Sequence, residues 1–130
     1  MRHLILTIVF IAWAGGLALA ATPINEEIVF ENGFTAILIE NHGAPMIGSS
    51  VIVRAGSIHE DASNNGVSHM LEHLLFNGTT TRTQESLYAE QAQFGIYNNA
   101  HTAQAYTNYI VLAEHDHFQT AIAIQSDMLF

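Results

Sequence analysis

Two imidazoles and a carboxylate stand within five residues of each other, at His69, Glu72 and His73. On an α-helix, residues four apart lie roughly 40° apart around the axis and about 6 Å apart along it, so His69 and His73 lean over one surface spot. A single Zn²⁺ can bridge two such imidazoles. Glu72 falls about 60° to the other side of His69, beside the ion without being forced into its first shell. A carboxylate placed there can take a proton from water whose pKa a bound zinc lowers to about 7, which is general-base chemistry at neutral pH. Val67, Met70, Leu71, Leu74 and Leu75 occupy the far side of the same helical wheel, and the periodicity predicts that this stripe packs into a core. The competing reading is an ordinary helix with solvated histidines. A polar lead-in, a stop at Asn77-Gly78 and the apolar far side argue for the metal helix.

The elements that must hold this helix follow from the flanking patterns. Ile28 to Glu31 and Phe34 to Glu40 are β-rich runs joined by Asn32-Gly33, which suits a two-residue hairpin. A third strand is expected from Met46 to Arg54, with Val51-Ile52-Val53 suggesting burial on both faces. The polar segment Gly56 to Asn65 leads into the metal helix, with Asn64 or Asn65 expected as its cap. Thr83 opens a second helix that ends at Gly95, with Leu87, Gln91 and Phe94 on its inner side. Ile96 to Thr102 and Tyr106 to Ala113 read as two further strands. Phe118, Ala121, Ile122, Gln125 and Leu129 then follow helical spacing. Asp116 is expected to cap that helix, although His115-Asp116-His117 could also suggest a second metal site. The fold class expected is α+β, a mixed or antiparallel sheet with helices packed on one face.

Residues 1–20 have the pattern of a signal peptide: Arg2, an apolar run from Leu4 to Ala14, and Ala18-Leu19-Ala20 before Ala21. Cleavage after Ala20 would deliver the remainder to the periplasm or the exterior, and an uncleaved segment would be the chain's contact with a membrane. The mature 110 residues would carry Arg54 and Arg82 against 12 acids, a net charge of −10 that excludes nucleic acid as an expected partner. Cysteine is absent, so stability must come from a packed core. Residues 21–130 read as one incomplete domain, because the last segment stops on the apolar, uncapped Met128-Leu129-Phe130.

At His69-Met70-Leu71-Glu72-His73 the sequence resembles the pitrilysin/insulinase family of inverzincin metallopeptidases, whose zinc motif is His-x-x-Glu-His. Gly56-Ser57, Glu60-Asp61, the run from Gly66 to Thr79, Asn99-Ala100-His101-Thr102 and Tyr106-Thr107-Asn108-Tyr109 resemble further family landmarks, in order. The resemblance implies His69 and His73 as zinc ligands, Glu72 as general base, and a partial peptidase domain of the pitrilysin/mitochondrial processing peptidase type. It implies that Asn99, Ala100, His101 and Thr102 border a peptide substrate, which an exposed edge strand would bind as an added strand. From pattern alone a plain core hairpin with His101 facing solvent is an equal alternative. The resemblance also implies a second homologous domain or subunit, and a third zinc ligand, a Glu, about 75 residues beyond the second His. Only 57 residues follow His73 here, so that ligand is expected beyond residue 130. The readings that remain open are a zinc endopeptidase, a structural or partner subunit of a two-chain peptidase, and an exported zinc-binding module.

Overall fold

The computed structural model describes residues 25–130, and the signal segment read from residues 1–20 lies outside them. The element order is β1 (Asn25–Val29), β2 (Thr35–Ile39), β3 (Met46–Val53), a 3₁₀ turn, α1 (Val67–Leu74), a second 3₁₀ turn, α2 (Gln84–Phe94), β4 (Tyr97–Thr102), β5 (Thr107–Glu114), a third 3₁₀ turn and α3 (Phe118–Leu129). Among the described residues no helix is long and apolar enough to cross a membrane.

The chain divides into two compact units after Asn41. In the first, β1 and β2 pair antiparallel with Val29 opposite Thr35. The turn is wider than the two residues expected from Asn32-Gly33. The Phe30 N–H donates to the Phe34 carbonyl at 2.8 Å, leaving three residues in the loop, with Gly33 at φ +85°. Three-residue loops that end on a left-handed residue are a common hairpin closure, and glycine takes that conformation without steric cost.

In the second unit the strand order is β3-β5-β4, all neighbours antiparallel. The architecture is therefore α+β, with the helices on one face of the sheet. Thr107, Tyr109, Val111 and Ala113 alternate along β5 and are buried under the helices, whereas Leu112 and Glu114 on the other face are exposed. Leu87 of α2 and Ile124 of α3 are fully buried against Val111 and Ala113. Each such side chain contributes about 1.5–3 kcal/mol by leaving water.

Several local expectations hold and several are replaced. Thr83 caps α2 by accepting from the Ser86 N–H at 3.2 Å, and Gly95 ends it at φ +61°. β3 is half-buried on one face only, through Ile47, Ser49 and Val51, with Met46 and Ile52 exposed. α3 buries Ala121, Ile124, Gln125 and Met128 while Phe118 is exposed, a rotation of the expected stripe. Its first residue follows His117, and Asp116 makes no cap because its carboxylate pairs with His115 Nε2 at 2.9 Å. Gln125 replaces part of an apolar contact with two hydrogen bonds, accepting from Ser49 Oγ at 2.6 Å and donating to the Tyr109 carbonyl at 3.0 Å.

The largest departure concerns α1. Val67, Met70, Leu71 and Leu74, the stripe expected in the core, are all exposed, and the buried residue of this helix is Glu72. Only Leu75 and Phe76, on the following turn, pack against the core. The loop beyond is fixed by charge: Asp127 of α3 accepts from Thr79 Oγ1 at 2.6 Å, Thr81 Oγ1 at 2.7 Å and Arg82 Nη1 at 2.8 Å. These bonds, the threonine hydroxyls first, hold the Asp127 carboxyl down at about 2. Arg82 also reaches Glu90 of α2 at 2.8 Å, so one guanidinium ties α2 and α3 to the end of the α1 segment.

The segment before α1 rests on the β4–β5 turn. The Ile58 N–H donates to the Gln104 carbonyl at 2.9 Å, and Thr107 Oγ1 donates to the Ala55 carbonyl at 3.0 Å. Gly56 makes this approach possible: a Cβ there would run into the Ala103 carbonyl oxygen and lie 2.6 Å from that of Gln104. Its backbone is extended, so the constraint is space and not dihedral strain. Gly56→Ala is expected to destabilise the fold by about 1–3 kcal/mol in chemical unfolding, the usual cost of forcing a packed contact apart. A change below about 0.5 kcal/mol would contradict the close approach.

Candidate metal centre

The first helical N–H groups of α1 are unpaired within the helix and need an outside acceptor. The Asn64 carbonyl accepts from the Val67 N–H at 3.1 Å, but neither Asn64 nor Asn65 supplies a side-chain cap. Gly66 occupies the cap position at φ +89°, and the Glu60 carboxylate reaches across to accept from the Gly66 N–H at 2.6 Å and the Ser68 N–H at 2.9 Å. The Gly66 bond, then those of Ser68, hold the Glu60 carboxyl below its usual range. Asn64 Oδ1 instead accepts from the Asp61 N–H at 2.6 Å, closing the loop that aims Glu60. A negative charge at this end also suits the helix dipole.

With the helix so anchored, His69 and His73 lie on its exposed side, four residues apart, with ring centroids separated by 4.6 Å. Their Nε2 atoms are 3.1 Å apart. Two nitrogens each about 2.05 Å from one ion would subtend about 98° at this separation, close to the tetrahedral value preferred by zinc. Imidazole is a donor that zinc accepts readily. The pair therefore fits a zinc ion, to which it would offer two protein ligands.

Glu72, one residue before His73, faces the sheet. It is 7% exposed, and its Oε2 accepts a hydrogen bond from Thr102 Oγ1 on β4. Tyr109 of β5 lies close by: burial pushes its phenol up, and the negative charge of Glu72 pushes in the same direction. A carboxylate held at the sheet beside two imidazoles can act as a base next to a metal without being one of its ligands.

β4 is an edge of its sheet among the described residues, pairing with β5 on one side. Its four sequence-predicted residues divide between the faces. Asn99 and His101 are exposed with Tyr97 on the face away from the helices, where Asn99 Nδ2 donates to the Tyr97 hydroxyl at 3.0 Å and His101 meets Tyr106 edge-on at 5.8 Å. Ala100 and Thr102 are half-buried toward α1. The hydroxyl of Thr102 is thus committed to Glu72, a role that local sequence does not signal because the two residues are 30 apart.

The alternative group around His115 takes a different form from the one the sequence suggested. Glu114, His115 and Asp116 bring ligand atoms within 4.8 Å of one another, but all three are exposed. His117 leaves the group and packs on Phe94, with ring centroids 5.0 Å apart.

Residues 35–130 match the family described as Insulinase (Peptidase family M16). The chain is 36% identical over 113 residues to a probable mitochondrial-processing peptidase subunit beta of Schizosaccharomyces pombe, covering 86% of this chain and 24% of that protein. It is 32% identical over 100 residues to an uncharacterized zinc protease of Bacillus subtilis, covering 77% of this chain and 24% of that protein. The solved structure of a protease from Helicobacter pylori shares the fold, with a TM-score of 0.75 at 23% identity over 82% of this chain and 26% of that one. The chain thus spans about a quarter of the length of the curated relatives it matches.

Proposed function

This chain belongs to the insulinase family of peptidases, and on that premise we propose that it is part of a zinc-dependent endopeptidase acting on unfolded peptides, with Glu72 as its general base. The observation that carries the reading is the pairing of two Nε2 atoms 3.1 Å apart with a buried, hydrogen-bonded carboxylate one residue away on the same helix. His69 and His73 would hold the ion. Zinc bound there would supply Lewis acidity toward a peptide carbonyl and would lower the pKa of a water molecule. Glu72 takes the proton of the attacking water and returns it to the leaving amine. The edge of β4 that has no strand partner among the described residues offers backbone groups at Asn99 to Thr102 to an extended peptide, whose main chain can add to the sheet whatever its side chains.

A catalytic zinc site needs three protein ligands and an open position. We assign the third to a Glu beyond residue 130 of a longer polypeptide. Support comes from the relatives, which are about four times longer than the matched region. The open apolar stripe of α1 is consistent with a covering segment from the same polypeptide. A second homologous domain or subunit is proposed as the partner, in keeping with relatives named as one subunit of a peptidase.

Glu72→Gln in the zinc-loaded full-length protein is expected to retain about one zinc and lose peptide cleavage by roughly 10²–10⁴-fold. Equal failure of both proteins to cleave, with zinc bound in each, would favour a non-catalytic partner subunit instead. Export is proposed from residues 1–20 alone. Amino-terminal sequencing of the exported protein should begin at Ala21, and a chain still beginning at Met1 would favour a retained membrane anchor.

A further inference from the structure

We propose that Thr102 is a positioning residue for Glu72, and that its hydroxyl assigns the two carboxylate oxygens different tasks. This rests on the reading of Glu72 as general base. The Thr102 hydroxyl donates to Glu72 Oε2 from the edge strand that lies under α1. Directly across the strand pair, Thr107 is buried and its Oγ1 lies 3.3 Å from Thr102 Oγ1. Thr107 has one hydroxyl proton, which it donates to the Ala55 carbonyl at 3.0 Å. That proton is therefore engaged, and Thr107 does not compete with Thr102 as a donor to Glu72. The single Thr102 proton goes to the stronger acceptor, the ionised carboxylate.

The consequence for Glu72 is geometric. Oε2 is occupied, whereas Oε1 has no hydrogen-bond partner among the described residues. Oε1 is then the oxygen that meets the water proton, and Thr102 fixes the carboxylate rotation that presents it. A base held within hydrogen-bond reach in one orientation needs less rearrangement at the moment of proton transfer. β4 accordingly serves the site twice, through its outer backbone edge for the peptide and through the Thr102 hydroxyl for the base.

The test compares Thr102→Val, which removes the hydroxyl at nearly constant volume, with Thr102→Ser, which keeps it, in the zinc-loaded full-length protein. Thr102→Val is expected to lower kcat about 10–100-fold, the usual effect of removing an outer-shell partner, with KM and zinc content unchanged. Thr102→Ser should keep kcat within about threefold. In a Glu72→Gln background, Thr102→Val should cost nothing further, since the group it positions is gone. The proposal is overturned if Thr102→Val leaves kcat intact, if its loss appears in KM, or if serine is as damaging as valine. Glu72→Gln alone separates the two readings: full cleavage by that variant overturns the base assignment itself. An inactive Glu72→Gln beside a fully active Thr102→Val overturns only the positioning.

Discussion

The second unit is organised around one buried carboxylate. Glu72 lies between α1 and the sheet, where an unpaired charge would cost several kcal/mol, and the Thr102 hydroxyl offsets that cost. Burying Glu72 fixes the rotation of α1 about its axis. Once that face is against β4, His69 and His73 must stand at the exposed side, and Val67, Met70, Leu71 and Leu74 must point away from the sheet. The apolar stripe does not set the orientation of the helix, because the sheet is engaged by its polar face.

The remaining contacts hold this orientation from both ends. At the start of α1, the Glu60 carboxylate caps the free N–H groups. Behind it, Gly56 lets the incoming backbone settle on the β4–β5 turn, where Thr107 joins Ala55 to the neighbourhood of Thr102. At the far end, Arg82 and Asp127 tie the following loop to α2 and α3. The position of α1 is thereby set through short polar contacts to a helix whose own apolar packing is slight.

Much of this was legible in the sequence where the deciding interactions are local. The His69, Glu72 and His73 spacing, the Thr83 cap, the Gly95 stop and the strand runs all depend on residues within a few positions of each other. What failed to show depends on partners far along the chain. A helical wheel reports that α1 has an apolar side but not which side meets the sheet, and the contact of Glu72 with Thr102, 30 residues away, belongs to the side that does. The cap was missed for a related reason: Asn64 has the right chemistry and position, but its amide oxygen is taken by Asp61, leaving the longer Glu60 to do the task. In α3, Gln125 is buried because Ser49 and Tyr109 satisfy its amide, which shifts the inner stripe away from the one hydrophobicity predicts.

The central claim is that two imidazoles of α1 bind one ion while Glu72 stays outside its shell. X-ray absorption at the zinc edge of the full-length, zinc-loaded protein tests it most directly. The account predicts two imidazole nitrogens at about 2.0–2.1 Å with the balance oxygen, and an unchanged spectrum for Glu72→Gln. Fewer than two imidazoles per zinc, or a first shell that changes when Glu72 is replaced, would contradict it.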